Sequence, residues 1–438
     1  MQITAALLLA TGMLAGAAHA ADAAPEDWNL KVQSTYVRQF KPSFNSLYAG
    51  PHSLSGSSEA SYSFTATAAL GLRLGPRTEA YFDPEVAQGV PLSGLQGLSG
   101  FTNGEMARTS GRNPTFYRAR LFVRHVTPLS DDSEAVEPAM NQLGGTQATR
   151  RLTWTLGNLS VLDLFDANRY SHDPRSQFMN WTLMTHGAYD YAADARGYSW
   201  GAAVEYTGAD WSLRAGRFLQ PREPNQQKLD RNPLRHYGDQ IEFEQRYSLG
   251  ADQPGAWRVL AFHNRALMSR YADALQLASA TASVPDLAAV RTTEHSKVGL
   301  GLNVEQQLSP TLGLFARAMW ADGKTETYAF TEVDRSASAG TVLTGSTWGR
   351  AQDTLGLALA WNTISPAHRA ILAAGGQTFF LGDGALRYQP ERLIEAYYLW
   401  TPRPGIGITL DWQRINAPGY NADRGPVNAW ALRLHVER

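Results

Sequence analysis

The chain has no cysteine, so a disulfide framework, a thiolate nucleophile and a thiolate metal site are all excluded. Beyond its N-terminal apolar stretch there is no run of about 18 apolar residues, which excludes crossing a membrane by helices. Nor is there a cationic excess: 39 Lys and Arg against 40 Asp and Glu leave a formal net charge of −1, whereas a nucleic-acid partner requires a clustered basic surplus. Lysine itself is scarce, confined to positions 31, 41, 228, 297 and 324, so positive charge is delivered almost wholly by the planar, permanently charged guanidinium. H-E-x-x-H, G-x-S-x-G, a phosphate-cradling glycine loop and an EF-hand are missing, and His172, His186 and His236 are scattered without ligand spacing. No catalytic residue, metal ligand or cofactor is assigned.

What is present predicts an exported β-structure. Residues Ala5 to Ala18 are apolar and small, and Ala18-His19-Ala20 fits a small-x-small cleavage site, so 1–20 reads as a cleaved leader and 21–438 as one domain. In the last third, apolar residues recur with period two, as in Leu300, Leu302 and Val304, or Leu355, Leu357, Leu359 and Trp361. Segments of about ten residues with one apolar and one polar face predict an all-β fold, a transmembrane antiparallel β-barrel. Such segments lie at 30–38, 62–74, 78–82, 116–126, 152–159, 199–206, 211–219 and 239–247 in the first half. They continue at 257–267, 298–308, 312–321, 327–333, 354–361, 393–400, 406–414 and 427–437, about sixteen in all. Short links at 207–210, 309–311 and 402–405 read as periplasmic turns. The polar stretches 83–114, 160–197, 269–296 and 336–352 read as extracellular or lumen-folded loops.

Alternation assigns faces. Tyr62, Phe64, Ala66, Ala68, Leu70 and Leu72 are expected to meet lipid. Arg118, Arg120 and Arg124 share a face with Phe122, and guanidiniums at the lipid midplane would cost about 2–4 kcal/mol each, so all three are expected inside. The same argument places Glu242, Glu244, Arg317, Glu395 and Arg433 in the lumen. Trp257, Trp320, Trp361, Trp400, Trp412 and Trp430 fit interfacial girdles. Between two strands, residues 162–200 mix Asp, Arg, Asn and aromatics, with Asp173, Arg175, Asn180 and Trp181 at the densest point. Aromatic faces suit the C–H surfaces of sugar rings and the polar groups their hydroxyls, so this segment is a candidate loop folded into the pore.

The stretches Asp173-Pro174-Arg175-Ser176-Gln177-Phe178-Met179-Asn180-Trp181, Asp194-Ala195-Arg196-Gly197-Tyr198-Ser199-Trp200-Gly201 and Arg235-His236-Tyr237-Gly238-Asp239 carry a resemblance, as does Tyr420-Asn421-Ala422-Asp423-Arg424-Gly425-Pro426-Val427. In this order they resemble the OprB-type carbohydrate-selective porins of Gram-negative outer membranes. The resemblance implies a sixteen-stranded outer-membrane porin passing glucose and other small sugars down their gradient through an arginine-rich constriction. Expected partners are small carbohydrates and outer-membrane lipid, and a homotrimer is one possible assembly. One departure is that Trp430, Leu432, Leu434 and Val436 lead in register to Arg438, where such barrels usually end in an aromatic residue. An anion-selective pore is the alternative within transport, opposed by the interspersed Glu242, Glu244, Glu395 and Asp411. A barrel enzyme and a secreted β-sandwich lectin are the readings from other classes.

Overall fold

The computed structural model describes residues 25–438 apart from 107 and 251; the expected leader, 1–20, lies outside the described residues. The first four strands are β1 (Trp28–Lys41), β2 (Glu59–Gly75), β3 (Thr78–Val90) and β4 (Thr115–Pro128). A small hairpin follows, β5 (Ser133–Val136) and β6 (Gly145–Ala148), then β7 (Arg151–Leu159), β8 (Ser199–Thr207), β9 (Trp211–Leu219) and β10 (Tyr237–Ser248). The remainder are β11 (Pro254–Leu267), β12 (Glu294–Ser309), β13 (Leu312–Ala321), β14 (Arg335–Thr344), β15 (Thr354–Thr363), β16 (Glu391–Arg403), β17 (Ile406–Asn416) and β18 (Val427–Glu437). All but β5 and β6 form one closed antiparallel barrel of sixteen strands, in which β1 pairs with both β2 and β18. Closure leaves no sheet edge, the condition for a β-structure to sit in hydrocarbon.

Period two sets the wall. Along β2 the Tyr62-to-Leu72 set turns outward, while Ser61, Ser63, Thr65 and Thr67 are buried inside. Leu300, Leu359 and Leu410 are 54–65 % exposed. In water that would be a liability, whereas in lipid it is the required surface. Connections alternate in length, with two-residue links after β2, β12 and β16 and long ones at the other end, which is the extracellular end in such barrels. Among the described residues no helix is long and apolar enough to cross a membrane; this chain crosses with strands.

Three expectations are corrected. Residues 327–333 form no strand: Phe330 has φ +56°, and Tyr328, Ala329 and Val333 are buried within a loop. The strand is β14 instead, so 336–352 is mostly wall and not a long loop. Its small residues face a bulky neighbour, since Phe315 packs against Gly340 and leaves no space for a side chain there. Third, 83–114 is not all loop, because β3 runs on through Pro84 to Val90. The hairpin β5–β6 decorates the short-turn end, and the segment joining its strands reaches into the barrel mouth, where Leu143 is buried and its N–H donates to the Tyr81 hydroxyl at 3.1 Å.

Candidate functional site

The lumen is narrowed by two loops. Residues 160–198 cross it, and 91–114 fold in beside them: Trp181 donates from its backbone N–H to Phe101 O at 2.9 Å and from Nε1 to Asn103 O at 2.9 Å. The loops pack closely at Gly104, where a Cβ would lie 2.5 Å from Met184 Sδ and 3.0 Å from Met179 O. Inward charges of the wall fasten the crossing loop. Arg317 on β13 donates from Nε to Asp166 Oδ1 (3.1 Å), from Nη1 to Leu183 O (2.9 Å) and from Nη2 to Ser171 O (2.7 Å). Arg433 holds Pro174 O and Gln177 O at 2.6 and 2.8 Å. Glu395 accepts from the N–H groups of Met179 and Asn180, and Glu242 from that of Asp166 at 2.8 Å. Burial opposes the charge on Asp166, yet Arg317 holds its pKa well below the usual carboxylate range. Burial pushes His186 beside it down to about 4, so its ring is neutral.

Between the loops and the wall lies a cavity of about 350 Å³, the size of small-molecule sites. Part of its lining is ionic. Arg120 on β4 makes a bidentate pair with Asp163 at 2.7 and 2.6 Å. Arg175 donates from Nε to Glu105 at 3.1 Å, with Nη1 3.7 Å from Asp173. Tyr117 donates its hydroxyl to Glu85, and Arg196 lies over the Tyr117 ring at 4.4 Å. The rest is aromatic: Trp181 and Phe330 rings meet edge to face at 5.5 Å, and Tyr191 stacks on Phe330 at 5.0 Å. Burial raises the Glu105 pKa above the ordinary carboxylate value despite Arg175. For Arg175 burial acts against the charge, but Glu105 and Asp173 hold its pKa above the usual guanidinium value. Burial, helped by Arg317, keeps the His172 pKa low, so this cavity histidine carries no charge near neutrality. Three arginines (Arg120, Arg175, Arg196) therefore face four carboxylates (Glu85, Glu105, Asp163, Asp173) across rings and hydroxyls.

Of the residues singled out in the sequence, the structure brings Arg120, Asp173, Arg175 and Trp181 together on this cavity. Arg124 is inside but at the short-turn end, over Tyr81 at 5.2 Å and bonded to Asn141 O at 3.1 Å. Glu242, Arg317 and Glu395 are inside as loop fasteners, and Asn180 caps the short helix Trp181–Met184 while holding Gln413 at 3.0 Å. Glu244 belongs to an ionic ladder on the inner wall, bonded by Arg246 and Arg258 at 2.8 Å each.

Arg118 is a correction: it faces outward. Asp83 pairs with Arg120 but Pro84 with Arg118, so Ala119 is an extra residue and the bulge reverses the alternation. Tyr117, which strict alternation would put on the lipid face opposite Arg118, therefore lines the cavity. The signal was Pro84, since a proline inside a strand marks an edge or a bulge. Glu85 was missed because the strand was expected to end at 82, although it keeps the alternation of Tyr81 and Asp83; Glu105 and Phe330 were missed because each sits on a loop that period two does not encode.

Among the described residues no group of His, Cys, Asp and Glu could hold a metal ion. A structure of Pseudomonas putida OprB at high pH superposes with a TM-score of 0.71 at 16 % identity, covering 94 % of each chain. The low-pH structure of the same protein gives 0.50 at 13 % identity, covering 94 % of this chain and 93 % of that one. No curated protein matches the sequence. The family model described as carbohydrate-selective porin, OprB family, matches residues 52–437. The chain thus belongs to the OprB family of carbohydrate-selective porins and is a passive channel of the Gram-negative outer membrane, not an enzyme.

Proposed function

We propose that the 350 Å³ cavity is the selective constriction, and that it passes small neutral sugars, glucose among them, by weak binding. The observation that carries this is the interleaving, in one cavity, of opposed charges with aromatic rings and no surplus of positive charge. A pyranose presents C–H faces to Trp181, Tyr191 and Phe330 while its hydroxyls exchange water for Arg120, Arg175 and their carboxylates. A neutral solute passes both signs of charge without a Coulomb barrier, whereas an anion gains from the arginines only what it loses to the carboxylates. Because the partners of each arginine are already in place, sugar displaces only part of each network, and binding stays weak enough for release. The concentration gradient alone sets direction.

The test is single-channel current of the purified protein in a planar bilayer, titrated with glucose and then a disaccharide, with reversal potentials in a KCl gradient. The reading expects saturable block by sugar and weak ion selectivity. Channels indifferent to sugar and strongly anion-selective would assign the pore to charged solutes.

A further inference from the structure

The Ala119 bulge turns Arg118 out of the lumen, and what it meets there lies on the outer wall. The β4–β7 ladder stops at Leu121 and Asn158, so over Thr115 to Arg120 the backbone of β4 pairs only with β3 and the extracellular end of the wall has a notch beside β4. Asn158 closes its floor, donating from Nδ2 to Ala119 O at 2.7 Å. A cavity of about 640 Å³ occupies the notch, and its lining carries Arg118, Arg196, Arg222, Lys228 and Arg231 against one carboxylate, Asp194. That carboxylate is engaged by the backbone N–H groups of Arg196 and Tyr198 at 2.9 and 3.2 Å. Asp230 on the same loop is held by His236 at 2.8 Å and lies within electrostatic reach of Arg222, without an ion pair between them. Among the described residues, the side chains of Arg118, Arg222, Lys228 and Arg231 make no hydrogen bond or ion pair; the Arg118 guanidinium lies over the Trp200 ring at 5.1 Å.

Convergent cations that outnumber their counter-charges repel one another, and at the edge of a bilayer, where water screens poorly, they favour an anion. Two further features say which anion. Trp200 is an outward ring near the end of β8, the depth at which indoles sit in the headgroup layer. Two residues below it on the same face, Ala202 begins a depression of about 560 Å³, floored by Ala215 and Ala261 between Trp154 and Ile241. The Arg217–Asp239 pair (2.7 Å) and His263 also line it, towards the extracellular end, and the apolar remainder accepts a hydrocarbon chain.

We infer that the notch binds the phosphate groups of the phosphorylated glycolipid that forms the outer leaflet, with an acyl chain lying in the depression beneath. Guanidinium forks match phosphate oxygens bidentately, which makes Arg118, Arg222 and Arg231 the primary contacts and Lys228 a supporting point charge. The notch backs onto the sugar cavity through Tyr117, Arg196 and Tyr198, but Arg118, Arg222, Lys228 and Arg231 lie outside that cavity's lining, so the site anchors and orients the barrel in its leaflet and leaves conduction to the lumen.

The experiment is native mass spectrometry of delipidated full-length protein in detergent, titrated with bisphosphorylated lipid A, its dephosphorylated counterpart, phosphatidylcholine and inorganic phosphate. The bisphosphorylated lipid is expected to bind at least about tenfold more tightly than the dephosphorylated one. The combined Arg118→Glu, Arg222→Glu, Arg231→Glu variant is expected to lose that preference while keeping wild-type conductance and glucose block. Equal binding of the two lipid A forms, an unchanged preference in the variant, or displacement of lipid A by inorganic phosphate at matched concentration would each overturn the proposal. The lipid comparison on the unaltered protein decides the matter even if the variant does not fold.

Discussion

Arg317 and Arg175 are both in the lumen, and they do opposite things. Arg317 is 1 % exposed and its donors are taken by Asp166 and by the carbonyls of Leu183 and Ser171. Arg175 is 19 % exposed and, among the described residues, only Nε of its five N–H donors is hydrogen-bonded, to Glu105. A guanidinium saturated by backbone carbonyls fastens a loop, whereas one with open donors can exchange water for a sugar hydroxyl. Lumenal charge by itself therefore does not mark a solute contact. Its degree of saturation does.

The largest expected effect comes from breaking the fastener. Arg317→Ala leaves the fully buried Asp166 unpaired, a loss of about 3–5 kcal/mol. It is expected to unseat the loop, seen as new protease cleavage within 160–198 and a larger, noisier open-channel current. Next come the two cavity arginines, Arg175 with most of its donors open and Arg120 with those left over by Asp163 and Asp83: Arg120→Ala with Arg175→Ala keeps Arg317, Arg433 and Glu395 in place but removes charged donors, weakening glucose block by about tenfold to a hundredfold. The same change leaves Arg196 alone against the four cavity carboxylates, so reversal potentials should shift towards cations. Smaller still is Tyr191→Leu, which removes a ring from the aromatic lining and is expected to weaken block by about threefold to tenfold with selectivity unchanged.

The smallest expected effect is a pH dependence. Burial raises the Glu105 pKa while burial-opposed pairing with Arg175 lowers that of Asp173, so mild acid neutralises Glu105 while Asp173 keeps its charge. The cavity then loses one negative charge and the reversal potential should move slightly towards anions as pH falls into the upper carboxylate range. Glu105→Gln should abolish that shift. The sign for folding is the same: a carboxyl with a raised folded-state pKa stabilises most below its unfolded value, and that contribution fades as pH rises through the folded one.

Much of this was legible in the sequence because a barrel wall obeys a strict local rule. Leu70 outward and Thr67 inward follow from alternation alone, as do Arg317 and Glu395 inside. The rule fails where neighbours across the wall change it. At Ala119 one extra residue swaps Arg118 for Tyr117, and at Gly340 the ring of Phe315 demands small residues that blur a real strand. Residues 327–333 mimic a strand for the converse reason, with β-branched and aromatic side chains that pack in a lumenal loop. In the cavity, Arg175 and Trp181 were visible as dense chemistry in one segment. Glu105 and Phe330 were not, since they arrive from other loops and their position is set only once Arg317, Arg433 and Glu395 have pinned the crossing segment.

The most direct test of the distinction between fastening and open arginines is a glucose titration of single-channel current, run side by side on the unaltered protein and on the Arg120→Ala, Arg175→Ala variant. Saturable block is expected in the first and its near loss in the second, with the part of loop 160–198 held by Arg317, Arg433 and Glu395 equally protected from protease in both. Undiminished block in the variant would contradict it, because sugar would then be held by groups other than the open donors of this cavity.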